Sequence, residues 1–236
     1  GGEGGHGIRP GTVSTFSHLD QPGTGILQVA FEQVEDKPLI LTEWTQSPPN
    51  QWKAEIAPLY ALYGMGLHGW DGSLHFTASR PWMRSGWPSM ASYVSETPHY
   101  MGQFPALARA IHEGHVEQAG IAAARRFSTE QVFGGFDALT QALDSGGWDP
   151  SAGETSLVVP PEVFGIGRIS LKIEDGLQPS ERADWDSYWN ADAGTVTSMT
   201  GDLVWNYGER FVEIRTDRTQ GLVGFAGGRE HLLPAL

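Results

Sequence analysis

The stretch from Lys37 to Phe76 constrains the fold of this chain more than any other. It opens with Leu39-Ile40-Leu41, three consecutive apolar residues behind Lys37-Pro38, and breaks at Thr42-Glu43-Trp44. Short apolar runs without alternation belong to strands covered on both faces, as in parallel sheets. Pro48-Pro49-Asn50 then predicts the start of a helix, with Asn50 as its N-cap. Trp52, Ile56, Leu59, Tyr60 and Tyr63 form the helix's apolar stripe, and Pro58 inside it predicts a kink or a later start. Gly69-Trp70-Asp71-Gly72 leads to a second short strand over 73–77. Strand, helix, strand is the rhythm of a parallel α/β sheet or barrel.

The flanking regions extend this reading. Val13–Leu19 suits a strand that ends at the turn Asp20-Gln21-Pro22-Gly23. Ile26, Val29, Ala30 and Val34 have helical spacing, and a further helix is predicted over 104–118. Beyond Gly146-Gly147-Trp148-Asp149-Pro150 the pattern changes: 168–174 alternates strictly, with Ile169, Leu171 and Ile173 on one face. Such half-buried strands predict an antiparallel β-sandwich. The expected organisation is therefore a parallel α/β sheet or barrel portion over 1–130, then a linker and β-sandwich over 131–236.

Composition removes several functions. With 15 Lys and Arg against 28 Asp and Glu, the net charge is -13, which argues against nucleic acid or an anionic membrane as partner. The chain has no cysteine, so disulfides, thiolate metal sites and a Cys nucleophile are excluded. No apolar run approaches the roughly 20 residues that span a bilayer. The 9 Trp are many for 236 residues and suit a surface that stacks on sugars, although cores use Trp too. The opening Gly1–Gly7 reads as a loop without signal-peptide character, consistent with a processed, truncated or C-terminal piece of a longer protein.

Glu43 is the leading functional residue. A carboxylate directly after a buried strand sits at the strand's C-terminal end, and in a βα barrel that rim carries catalytic groups; the alternative is a solvated rim Glu. His112-Glu113-Gly114-His115 is one residue short of a zinc-helix motif and reads as a helix end. His68 and His75 read as core or rim histidines. Gly165-x-Gly167 carries no dinucleotide motif, and no Gly-x-Ser-x-Gly elbow is present.

The segment KPLILTEWTQSPPNQWKAEIAPLYALYGMGLHGWDGSLHF resembles the seventh strand, seventh helix and eighth strand of clan-A glycoside hydrolases, (β/α)₈-barrel enzymes that include β-galactosidases, β-agarases and cellulase-like families. The resemblance implies that Glu43 is a retaining nucleophile. It also implies that Trp70 or Asp71 lies near the sugar, that His18 at the end of the sixth strand bonds sugar hydroxyls, and that a rim Trp, Trp44 or Trp82, shapes the subsite; Trp87 belongs to the same loop cluster. Thr200–Trp205 and Thr216–Gly221 resemble the appended β-domain of large members. The fold implied is α/β plus all-β: about strands six to eight of a TIM barrel, then an antiparallel β-sandwich. The clan's Asn-Glu acid/base pair occurs nowhere here, so an N-terminal half-barrel chain or segment is the expected partner, and the chain alone should be inactive. The substrate implied is a β-linked oligo- or polysaccharide, with a galactoside or algal galactan preferred, and no cofactor or metal. Homo-oligomer formation is left open. The competing expectation is a non-catalytic carbohydrate-binding or scaffolding protein that kept a degenerate barrel face.

Overall fold

The computed structural model describes residues 15–46, 50–76, 96–134, 159–176, 180–231 and 233. Strands β1 (Ile40–Trp44) and β2 (Gly72–His75) pair in parallel, with Ile40 opposite Gly72, Leu41 opposite Ser73 and Trp44 opposite His75. Three residues of β1 thus span the distance that two span in β2, which is a bulge at Thr42-Glu43. Trp44 faces the helical layer, its ring 4.4 Å from Tyr60, and His75 does likewise, 4.9 Å from Tyr100. Ile40, Leu74 and Phe76 are exposed, so the expectation that this strand is covered on both faces is corrected: the pair is covered on the helical side only.

The connection is helical from Lys53 to Leu67, but its winding changes twice. A 3₁₀ turn (Lys53–Glu55) leads into α1 (Ile56–Leu59), which widens into π geometry over Tyr60–Leu67. Pro58 has no N–H to offer the carbonyl of Ala54, and the Gln103 side-chain amide donates to that carbonyl instead, at 2.8 Å. Ile56, Leu59, Tyr60, Leu62, Tyr63 and Leu67 are all buried, so tertiary packing holds an irregular helix that propensity alone would not. Asn50 does not cap as expected: its side-chain oxygen accepts the Trp52 N–H at 2.9 Å in the turn before the helix, and Trp52 is the N-cap.

The other predicted helices are shorter. Residues 15–17 lead into a 3₁₀ turn at His18–Asp20, capped by the Ser17 hydroxyl. Gly25–Glu32 is 3₁₀, after which Gln33 to Glu35 run beside another strand. Following the short α2 (Pro98–Met101), α3 (Phe104–His112) stops six residues before the predicted end. Gly114, at φ +61°, makes the stop: His115 N–H donates to Ala110 O and Gly114 N–H to Ile111 O, the paired bonds of a Schellman motif.

β3 (Ile121–Ser128) pairs in parallel with β4 (Arg168–Glu174) and antiparallel with β5 (Glu181–Arg182). The antiparallel expectation for 168–174 is thereby corrected. Alternation reports that a strand has one covered face, not which way its neighbours run. On its other side β4 bonds Gln33 and Glu35 through Leu171, both at 2.7 Å, and Ile169, Ser170 and Leu171 are buried. The boundary expected after residue 130 falls inside α4 (Thr129–Gly134), and the β3–β4 pairing crosses it.

The remainder is an antiparallel meander: β6 (Trp189–Asn190), β7 (Thr195–Thr197), β8 (Leu203–Asn206), β9 (Phe211–Arg215) and β10 (Gln220–Gly224), hydrogen-bonded in sequence order. One core joins it to the helical layer. Trp205 is fully buried, donates its indole N–H to Leu19 O at 3.0 Å, and lies 5.0 Å from the Tyr63 ring. The 3₁₀ turn Pro161–Gly165 is inserted between them and contributes Phe164. Among the described residues β1 and β2 form a two-stranded parallel pair, and no closed barrel is present.

Candidate functional site

Glu43 is the fourth residue of β1 and sits on its bulge. In a regular strand Thr42 and Glu43 would point to opposite faces; here both are exposed while Leu41 and Trp44 share the covered side. A bulge at a strand end re-aims side chains in this way. No hydrogen bond or ion pair engages Glu43 among the described residues.

The groups around this end of β1 are held from behind. Trp44 donates its indole N–H to the Ser73 hydroxyl at 2.6 Å, and Phe76 N–H donates to Trp44 O at 2.9 Å. Thr45 Oγ1 lies 3.4 Å from His75 Nε2. Burial, with the nearby Lys53 charge, pushes the His75 imidazole down to about 4. Past the strand, Gln46 Oε1 is 2.9 Å from His18 Nε2; as an amide oxygen it accepts, so that nitrogen carries the hydrogen. Burial lowers His18 as well, against the pull of the Gln46 bond. Burial thus favours the neutral form of both rings.

Behind His18 lies a buried carboxyl. Glu55 Oε2 accepts from the Ser17 hydroxyl at 2.8 Å and from the His18 N–H at 3.1 Å. Burial raises its affinity for a proton, and these two donors oppose the shift. The Asn50 side chain donates to Phe16 O at 3.1 Å. Together these bonds fasten residues 16–18 to the loop and helix that follow β1.

The structure brings Glu43, Trp44 and His18 to one end of the β1–β2 pair. Trp44 is only 4% exposed, so it supports this end rather than presenting a face to solvent. Trp70 and Asp71 are not brought there. They precede β2, and because the strands are parallel they sit at the opposite end, where Asp71 Oδ2 accepts the Leu39 N–H at 2.9 Å. Four strand residues, roughly 13 Å, separate Asp71 from His75. Trp70 is 3% exposed, with its ring against the Gly64 backbone and 5.7 Å from Tyr60. Trp82 and Trp87 lie outside the described residues. Sequence reasoning missed His75, Phe76, Gln46 and Glu55; the signal for the first two was their place at the C-terminal end of the predicted strand over 73–77.

Elsewhere the chemistry is structural. His115 bridges Glu113 Oε2 at 2.9 Å and Thr219 Oγ1 at 2.6 Å, tying the end of α3 to the β9–β10 turn. Among the described residues no three His, Asp or Glu side chains are grouped to hold a metal ion, and no helix is long and apolar enough to cross a membrane. Comparison with family models, with curated proteins and with solved structures returned no match to this chain.

Proposed function

We propose that this chain is the nucleophile-bearing portion of a retaining β-glycoside hydrolase, acting on a β-linked oligo- or polysaccharide, with Glu43 attacking the anomeric carbon. The observation that carries this reading is the bulge that turns an unpaired Glu43 carboxylate outward at the C-terminal end of a parallel βαβ unit. Attack displaces the leaving oxygen and forms a glycosyl ester on Glu43; water then cleaves that ester and restores the carboxylate. The proton that the leaving oxygen needs comes from a second carboxyl group in a complementary half-barrel. The exposed Phe16 and Phe76 rings offer apolar surface to the sugar.

The test is to incubate the native assembly, with any co-purifying chain, with 2-fluoro β-glycosides of several sugars and to map adducts by peptide mass. A stable adduct on Glu43, absent in Glu43→Gln, is the expected result. Saccharide binding without adduct or turnover in wild type and variant alike would refute the enzyme reading in favour of a carbohydrate-binding protein.

A further inference from the structure

At the end of the strands away from Glu43, a cleft of about 340 Å³ opens where β1, β2, β3 and β4 all begin. Its volume falls in the lower part of the range of ligand pockets, about 300–1,000 Å³. Three polar atoms in its wall have no partner among the described residues: Gln33 Oε1, Ser170 Oγ and Arg168 Nε. Gln33 and Ser170 are 9% and 6% exposed, so leaving these atoms without a partner is costly.

The chemistry of these atoms is defined by their other bonds. Gln33 Nε2 donates to His68 O at 3.3 Å; a carbonyl accepts only donors, so the amide orientation is set and Oε1 remains an unused acceptor. Arg168 Nε is only a donor, and the Ser170 hydroxyl serves as either. An anion would leave the Gln33 oxygen without a donor and would face Glu35, Asp36 and Asp71 at the cleft. A cation would face Arg168 and Lys37. A group that both donates and accepts, without net charge, suits this mixture of one acceptor, one donor and one hydroxyl.

We infer that this cleft binds a neutral vicinal polyol, a monosaccharide unit or a sugar alcohol, through Gln33, Arg168 and Ser170. The site is independent of Glu43 and of the proposed hydrolysis, since it occupies the opposite end of the β1–β2 pair. Because the three atoms are recessed in the wall, the neighbouring side chains must shift slightly to admit hydroxyls, and affinity is expected in the millimolar range.

The test is a nuclear magnetic resonance titration of the native assembly with galactose, glycerol and inorganic phosphate in turn. It follows the side-chain resonances of Gln33 and Arg168. Saturable shifts with galactose or glycerol, weakened about tenfold in Arg168→Met and Ser170→Ala, support the site, provided both variants keep the wild-type melting transition. The stronger of the two probes identifies the ligand as sugar or sugar alcohol. Saturation by phosphate alone, or no saturable shift with any probe at high millimolar concentration, overturns the proposal. The same titration on Glu43→Gln separates the two sites: the cleft shifts persist there even if the hydrolase reading fails.

Discussion

Lowering the pH from 7 to 4 interrogates the core through one imidazole. His68 follows the π segment, is fully buried, and stacks on Phe164 with ring centroids 4.4 Å apart. Its Nε2 lies 2.8 Å from Phe164 O, so this nitrogen carries the hydrogen, and Nδ1 is left buried with no partner. Protonating Nδ1 would place a charge where nothing accepts its hydrogen, and the nearby Arg168 adds repulsion. Burial, the larger effect, with Arg168 in support and the Phe164 bond opposing, holds the group down to about 4. In the unfolded chain His68 takes up its proton near the ordinary 6.5. Stability from the neutral ring is therefore complete above about 6.5, declines as pH falls toward 4, and stays lost below that. The gap between 6.5 and about 4 corresponds to about 3 kcal/mol. The assay is urea unfolding of wild type and His68→Phe at a series of pH values. The variant keeps the aromatic stack but leaves the Phe164 carbonyl unpaired, so at pH 7 it should be weaker by about 1–3 kcal/mol. Between pH 7 and 4 wild type should lose about 3 kcal/mol more than the variant, because carboxylates and the other histidines titrate alike in both. A difference between the two proteins that stays constant across this range would refute the reasoning.

Other substitutions separate individual causes. Gln103→Leu should lose about 1 kcal/mol in urea unfolding, since the half-buried Ala54 carbonyl freed by Pro58 would lose its donor. Gly23→Ala should fail to fold or melt far below wild type: Gly23 has φ +68°, and a Cβ there would meet Pro161 O and the Phe164 Cβ. Gly114→Ala, at φ +61° with nothing near its Cβ, should lose only the backbone cost of about 1–2 kcal/mol, measured by the same melt. Trp205→Phe should lose about 2–3 kcal/mol by denaturant titration, because the Leu19 carbonyl loses its donor and the core gains a void.

Much of the local structure was legible in residue types whose effects are steric. Leu39-Ile40-Leu41 marked a strand of a parallel pair, and Pro58 marked a disturbance in the following helix. What escaped were properties set by partners distant in the chain. Pro58 does not show that Gln103 will supply the missing donor, 45 residues later, and so let the helix continue. The alternation of 168–174 does not show that β3 runs parallel to it. Gly114 did carry a readable stop signal, but the apolar residues beyond it, buried against other elements, imitate a longer helix. For the proposed site, the place of Glu43 after an apolar run was legible, whereas the bulge that exposes it was not, because a bulge is a mismatch between two strands and neither sequence alone contains it. Trp70 and Asp71 were read as neighbours of Glu43 by analogy, although they stand before the second strand and a parallel pair must put them at the far end.

That geometry also bears on where a second carboxyl group would come from. Retaining hydrolysis requires two carboxyl groups about 5–5.5 Å apart, one as nucleophile and one as acid and base. Two acidic residues near the β1–β2 pair can be weighed against this need. Glu55 is 8% exposed, and its Oε2 is held by the Ser17 hydroxyl and the His18 N–H, which keep the carboxyl group in the buried layer. Asp71 lies beyond the other end of the pair, tied to the Leu39 N–H. Neither can serve a sugar held at Glu43. The proposed reaction thus needs a carboxyl group other than these two, which the proposal assigns to a complementary half-barrel; under that proposal, adding the half should let Glu43 turn over substrate.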